Sequence, residues 1–294
     1  MKAANTRGQA LLLVMWAMFV MSFAIMGLVS LLNINIGTAT AMERVAIVSS
    51  LATGGTALGR NPEFPVTGHV EKQKFADGSE LEVLAISENS KLNINKLLGG
   101  NDRDTLRALL RIWRLNDVEA DTVLDCLFDY VEPGNTRRLN GAKAEQYRKA
   151  GRQPPPGRPF QTIDEMASVL NFELVSRRKE NWRDYFTIYG DGSLDLSTAP
   201  IDLIKAVCGV GDSSAKSLIN RRSQTGASPL DLDSVGTLMG LTEKEFGNVR
   251  GRVAMQGKVR RVIAEARFAQ AKRKVEAIFQ LDDRGNSILE WKEW

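Results

Sequence analysis

Residues 8–42 carry no charged side chain, and the first charge after them is Glu43. The run opens Gly8-Gln9-Ala10-Leu11-Leu12-Leu13-Val14-Met15-Trp16 and stays mostly apolar to Leu32. At about 1.5 Å per helical residue, Ala10 to Leu32 reaches roughly 35 Å, enough to cross a bilayer. Only Lys2 and Arg7 precede the run. The positive-inside bias then keeps the N-terminus in the cytoplasm and sends the rest of the chain across the membrane.

Three readings compete for this segment. A cleaved secretory signal needs an apolar region of about 7–15 residues and a small-x-small site; this run is longer, and Thr38–Ala41 is a late and weak site. A plain signal anchor is the second. The third is a prepilin-type leader, a short basic peptide ending in Gly, cut on the cytoplasmic side so that the apolar helix stays in the mature chain. Met1–Gly8 has that shape, with Gly8 and Gln9 as the processing residues. The last two readings put a folded body outside the inner membrane.

The body is long enough for one large or two modest domains. A formal net charge of +4, two of it in the leader, does not call for nucleic acid. Cys126 and Cys208 are too few for a disulfide framework, and both lie in apolar helical patterns, so buried free thiols are expected. No Gly-x-Ser-x-Gly, His-Glu-x-x-His, Walker-type loop or cysteine metal pair occurs, and the single His69 has no nucleophile near it in sequence, so no enzyme is expected.

Thr38–Ala52 continues the helical pattern with few bulky residues on one face. Gly54-Gly55 weakens it and Asn61-Pro62 ends it. Strand sequence follows: Val70–Phe75, an Asp77-Gly78 turn, then Glu80–Ile86. Strands return only at the end, in Val259–Phe268, Lys274–Leu281 and, after a turn at Asp282–Asn286, Ser287–Trp294. The basic residues Lys258, Arg260, Arg261, Arg267, Lys272, Arg273 and Lys274 are expected on the solvated face of an edge region. The expected fold is α+β: a long N-terminal transmembrane and stalk helix packed on an antiparallel sheet, with a large all-α insertion. The boundaries are a leader at 1–8, a transmembrane helix at 9–32, its stalk continuation at 33–60, the sheet from 61–90 and 251–294, and the insertion at 91–250.

The insertion reads as two helix-hairpin-helix-like (SAM-like) repeats, 91–180 and 185–250. They begin at Lys91-Leu-Asn-Ile-Asn95 and Ser193–Pro200. Amphipathic helices follow, carrying Leu106, Leu109, Leu110 then Ala120, Val123, Leu124, Leu127 in the first copy. The second carries Leu203, Ile204, Val207 then Ala215, Leu218, Ile219. Each copy closes on a similar phrase, aligned at Ile163/Leu232, Asp164/Asp233, Met166/Val235 and Val169/Leu238. The first copy also holds a polar loop from Glu132 to Gln161, of a length that is usually functional or mobile.

Two motifs invite sharper readings. Gly209-Val-Gly211 before a helix bearing Lys216 and Arg221 resembles the turn that cradles a DNA phosphate. The plain alternative is a structural turn, and Asp212 would oppose a phosphate there. In the polar loop, Asp129, Glu132 and Glu145 are candidate calcium ligands, with Arg137 and Arg138 between them; capping and ion pairing are the alternative.

Taken together, the features resemble the K-class minor pseudopilins of type II secretion, the GspK family, over nearly the whole chain. The resemblance rests on Arg7-Gly8 before Gln9–Leu13, on Lys91–Asn95, Asp129–Glu132, Gly141 through Tyr147 and Phe160 through Met166, and on Tyr185–Gly190 through Leu194–Pro200. It implies cleavage after Gly8 by a prepilin peptidase and methylation of Gln9. It implies a single-pass inner-membrane protein with a periplasmic body, partnered by the I- and J-class minor pseudopilins at the tip of a pseudopilus. Most pilins carry Glu at the fifth mature position; here it is Leu13, an absence the K class shares. A buried carboxylate needs a cationic partner, which a subunit with nothing above it would lack. Calcium in the inserted domain is also implied, although Tyr130 and Glu132 replace the usual Trp and Asp and Gly134-Asn135 stand where acids are common. The expected function is a non-enzymatic tip subunit that starts pseudopilus assembly; the alternative is a membrane-anchored, extracytoplasmic DNA-binding protein using Gly209, Gly211, Lys216 and Arg221.

Overall fold

A computed structural model describes residues 6–66, 68–224, 230–281 and 287–294, with side chains at 6–9 and 31–39 left aside. Most of the leader, the turn at 282–286 and Pro229 lie outside the described residues.

One helix, α1 (Thr6–Arg60), opens the chain. A hairpin of β1 (Val70–Lys74) and β2 (Glu80–Ser87) follows. Next come β3 (Leu92–Asn93), α2 (Ile94–Gly99), α3 (Arg103–Ile112) and α4 (Asp117–Val131). After these lie α5 (Ala144–Lys149), α6 (Glu173–Arg178), β4 (Phe186–Thr187) and β5 (Leu194–Asp195). The second half of the helical region contains α7 (Ile201–Cys208), α8 (Asp212–Arg222), α9 (Leu232–Leu238), α10 (Glu243–Arg250) and β6 (Val253–Ala254). The chain ends in β7 (Val259–Phe268), β8 (Ala271–Gln280) and β9 (Ser287–Glu293).

The main sheet is fully antiparallel, in the order β1-β2-β7-β8-β9. Its two ends come from opposite ends of the sequence and meet at β2–β7, where Ala85 lies opposite Val262. The hairpin turn forms because Gly78 takes φ 85° and the Asp77 carboxylate accepts from the Ser79 amide and hydroxyl. The second half of α1 lies across β7, β8 and β2, burying Val48, Ala52 and Thr56 against Leu81, Val83, Val262, Ala264, Val275 and Phe279. Gly55 and Gly59 set that distance. A Cβ on Gly55 would stand 2.9 Å from Ala264 Cβ, and one on Gly59 would stand 2.4 Å from Val262 Cγ1. The glycines therefore do not weaken α1; they let it settle onto the sheet, and the helix runs on to Arg60.

The basic cluster is not on an edge. β7 is the central strand, and Arg260 is buried, donating to the carbonyls of Gly59, Asn61 and Pro62. It closes the C-terminus of α1, whose last carbonyls have no partners within the helix. Arg261 pairs with Glu88 and Glu276, and Arg267 and Lys272 with Glu265. Alternation along a strand shows which residues share a face but not where that strand sits in the sheet, so the expectation of an edge was wrong.

Residues between Leu92 and Val253 pack round a second apolar core, separate from the one under α1. Each half of this region is closed by a short parallel pair, β3 with β4 and β5 with β6. The two halves meet at α3 and α7, tied by Trp113 Nε1 donating to Asp202 and by Arg252 beside Asp102. Helix starts follow their caps: Asp102 for α3, an Asn116/Glu119 capping box for α4, and Thr242/Glu245 for α10. At the aligned positions, Met166 and Val235 are both fully buried, whereas Asp164 and Asp233 are both exposed.

Candidate functional site

α4 is the element around which this region is built. Asp125, Asp129 and Glu132 lie at spacings of four and three residues, hence on one face of the helix and its end. The chain leaves α4 and returns across that face. Arg138 Nη1 stands 3.0 Å from Asp129 Oδ1 and 2.6 Å from Glu132 Oε2, and its Nη2 donates to Glu132 Oε1. The Arg138 amide donates to Asp129, and the Asn140 amide to Asp125. Lys143 Nζ donates at 2.7 Å to each of the main-chain carbonyls of Asp129 and Glu132. Hydrogen bonding to Arg138 holds the Glu132 carboxyl below its ordinary range and raises the guanidinium further above its own.

The expected calcium set does not assemble. Calcium takes six to eight oxygens. Here the carboxylates of Asp129 and Glu132 and their two carbonyls already accept from Arg138 and Lys143. Glu145, the third candidate, is exposed and pairs with Lys149. Among the described residues no group of three or more metal-binding side chains stands together. The Asp125 anchor and the role of Lys143 went unseen in the sequence. The signal for Asp125 was present in its four-residue spacing from Asp129; a lysine aimed at carbonyls leaves none.

The polar loop 132–161 is tied along its length. Gly157 donates to the Tyr130 carbonyl, and Tyr130 stacks on Phe160 with centroids 5.2 Å apart. Phe160 and Asn95 exchange two hydrogen bonds, side chain to main chain, and the Tyr147 hydroxyl accepts from the Leu170 amide. The segments that carry the family resemblance are thus the packing joints of one scaffold.

At the second motif, Gly209 has φ 66° and links α7 to α8. Arg114 takes φ 65° between α3 and α4, so the first copy makes its turn without glycine. Asp212 sits in the first turn of α8, pairs with Lys205, and is held below the ordinary carboxyl range by that hydrogen bond. Its negative charge stands where the DNA alternative needs a phosphate. Lys216 is exposed and Arg221 half-buried on the same helix. Gly8, Gln9 and Leu13 lie on α1, and the Leu13 side chain is exposed. The stretch Ala10–Ser30 is long and apolar enough to cross a membrane and is unburied by the rest of the chain. Cys126 and Cys208 are free and buried, with burial pushing both thiols up to about 11.

Residues 90–179 match the family model described as type II secretion system (T2SS), protein K. That match covers about a third of the chain. The fold is similar to that in the crystal structure of the GspK-GspI-GspJ complex of the type 2 secretion system of enterotoxigenic Escherichia coli. The TM-score is 0.64 at 11% sequence identity, and the match covers 89% of this chain and 98% of that one. No curated protein sequence matches the chain. The matched segment begins beside β3 and spans α2 to α6, so it contains α4 and the tied loop.

Proposed function

We propose that the protein is a non-enzymatic minor pseudopilin that sits at the tip of a type II secretion pseudopilus and starts its assembly. The observation that carries this reading is the K-class segment at 90–179 in a chain whose apolar N-terminal helix runs unbroken into a sheet-bearing head. In this reading α1 crosses the inner membrane with its N-terminus in the cytoplasm and holds the head in the periplasm. Prepilin peptidase cuts after Gly8 and the new terminus, Gln9, is methylated. The bulk of the helical region, inserted between β2 and β7 as two SAM-like repeats, stands over the sheet and blocks a further subunit from stacking there. Leu13 at the fifth mature position agrees with a place where no neighbour above supplies an amine for a carboxylate to meet. The I- and J-class minor pseudopilins are its partners, as the solved GspK is found with GspI and GspJ.

Co-expression with an active prepilin peptidase tests the reading, with intact mass and N-terminal analysis as the readout. A mature chain starting at methylated Gln9, captured by I- and J-class partners of the same system, is the expected result. A Met1 start, while a control prepilin is cut in the same cells, would overturn it.

A further inference from the structure

The carboxylate face of α4 raises a problem that the returning loop solves. Asp129 is fully buried, and a buried carboxylate without a partner costs several kcal/mol. The oxygens gathered there are of the kinds a divalent ion bridges across a loop: the carboxylates of Asp129 and Glu132 and the main-chain carbonyls of the same residues. Yet each accepts from a nitrogen. Arg138 spans the carboxylates, and the buried Lys143 ammonium spans the carbonyls. Together the two side chains bring the charge of one divalent ion. Arg103 plays the same part for Asp125, at 2.8 Å.

The surroundings fix these cations in place. The Arg138 guanidinium lies over the Phe128 ring, 4.9 Å from its centroid. A Cβ at Gly141 would fall 1.9 Å from Asp129 Oδ2, so only glycine lets the chain pass between Asn140 and Lys143 at that depth. Main-chain amides of Arg138 and Asn140 complete the carboxylates. A calcium ion entering this space would have to expel both cations and would meet their charge first.

We infer that Arg138 and Lys143 are built-in counter-cations that fix the 132–161 loop on α4 in place of a bound divalent ion. The assignment rests on these residues alone and stands whether or not the protein acts at a pseudopilus tip. Its consequence is a loop whose order is indifferent to chelators.

Limited proteolysis of the full-length protein in detergent, read by mass spectrometry for cuts within 132–161, tests this. The native protein is expected to show the same cleavage rate in EDTA and in millimolar calcium, and no calcium binding by titration. Loss of protection in EDTA that calcium restores would overturn the inference. The double variant Arg138→Gln/Lys143→Gln is expected to be cut about tenfold faster in the loop in EDTA, with cleavage elsewhere unchanged. A loop as protected in that variant as in the native protein would overturn it too. Should the variant fail to fold, the native comparison alone still decides.

Discussion

Arg260 and Glu88 show how much of this molecule depends on single charges placed inside it. Arg260 projects from the central strand and donates to three carbonyls at the end of α1. Arg260→Met roughly keeps the volume but removes the charged donor from all three, leaving Asn61 only the Phe64 amide, and hydrogen bonds to a charged group are each worth about 1.5–3 kcal/mol. Chemical denaturation should show a loss of about 2–3 kcal/mol; an unchanged midpoint would mean that water takes over the cap. Glu88 is fully buried at the end of β2 and accepts from Arg261 at 2.6 Å, Thr187 at 2.5 Å and Lys91 at 3.2 Å. Burial alone would raise its carboxyl, but Lys91, Arg261 and Thr187 outweigh burial and hold it below its ordinary value. A depressed folded value means that the stabilisation is complete above the ordinary carboxyl range and fades as pH falls through the lowered one. Between about pH 6 and pH 3 the native protein should therefore lose stability more steeply than Glu88→Gln. Parallel curves would show that Glu88 does not titrate in this window.

At the scale of elements, α1 and the sheet make a joint set by what is missing from two side chains. Gly55 and Gly59 bring the helix backbone against Leu81, Val262 and Ala264. Gly59→Val would force its branches into Val262, and overpacking of this kind costs about 1–3 kcal/mol. A lower melting temperature with unchanged helix content by circular dichroism is the expected signature. Gly54→Ala is the control: nothing lies within 4 Å of a Cβ there, and its stability should hold or rise slightly. The small residues along α1 were visible in the sequence, but their purpose was not. Gly54-Gly55 read as a weak point because helix propensity is local, whereas the partner at Gly59 is Val262, about two hundred residues on. The hairpin at Asp77-Gly78 was legible for the opposite reason, since its turn, side-chain acceptor and both strands lie within one short segment.

At the scale of the whole molecule, the described residues form two apolar cores joined by a polar seam. Glu88 and Asn89 lie at that seam: Asn89 accepts from the Val259 amide and donates to Asp191 and to the Ser193 carbonyl, while Gly257 donates to Asp195. Asn89→Leu, which removes the three Asn89 bonds without opening a cavity, should split a single denaturation transition into two, followed separately by fluorescence of Trp113 and Trp182 in a background with Trp16, Trp291 and Trp294 changed to Phe, and by β-sheet signal. One coincident transition would mean that the seam couples the halves by other contacts. This seam could not be foreseen, because its bonds join residues 62 to 170 apart in sequence, and no periodicity marks them. The pairing of Lys143 was hidden differently, since its partners are main-chain carbonyls close in sequence and leave no pattern, whereas the α+β layout showed through the uncharged helix, alternating strands and amphipathic helices.

A helix continuous from Thr6 to Arg60 is seated on the sheet at Gly55 and Gly59 and closed by a guanidinium at its end, with no break between its apolar foot and the head. For each residue's length that the foot is drawn out of a bilayer, the head travels the same distance, about 1.5 Å. In the proposed reading, anchor and head are therefore two ends of one element, and a displacement of the first is a displacement of the second.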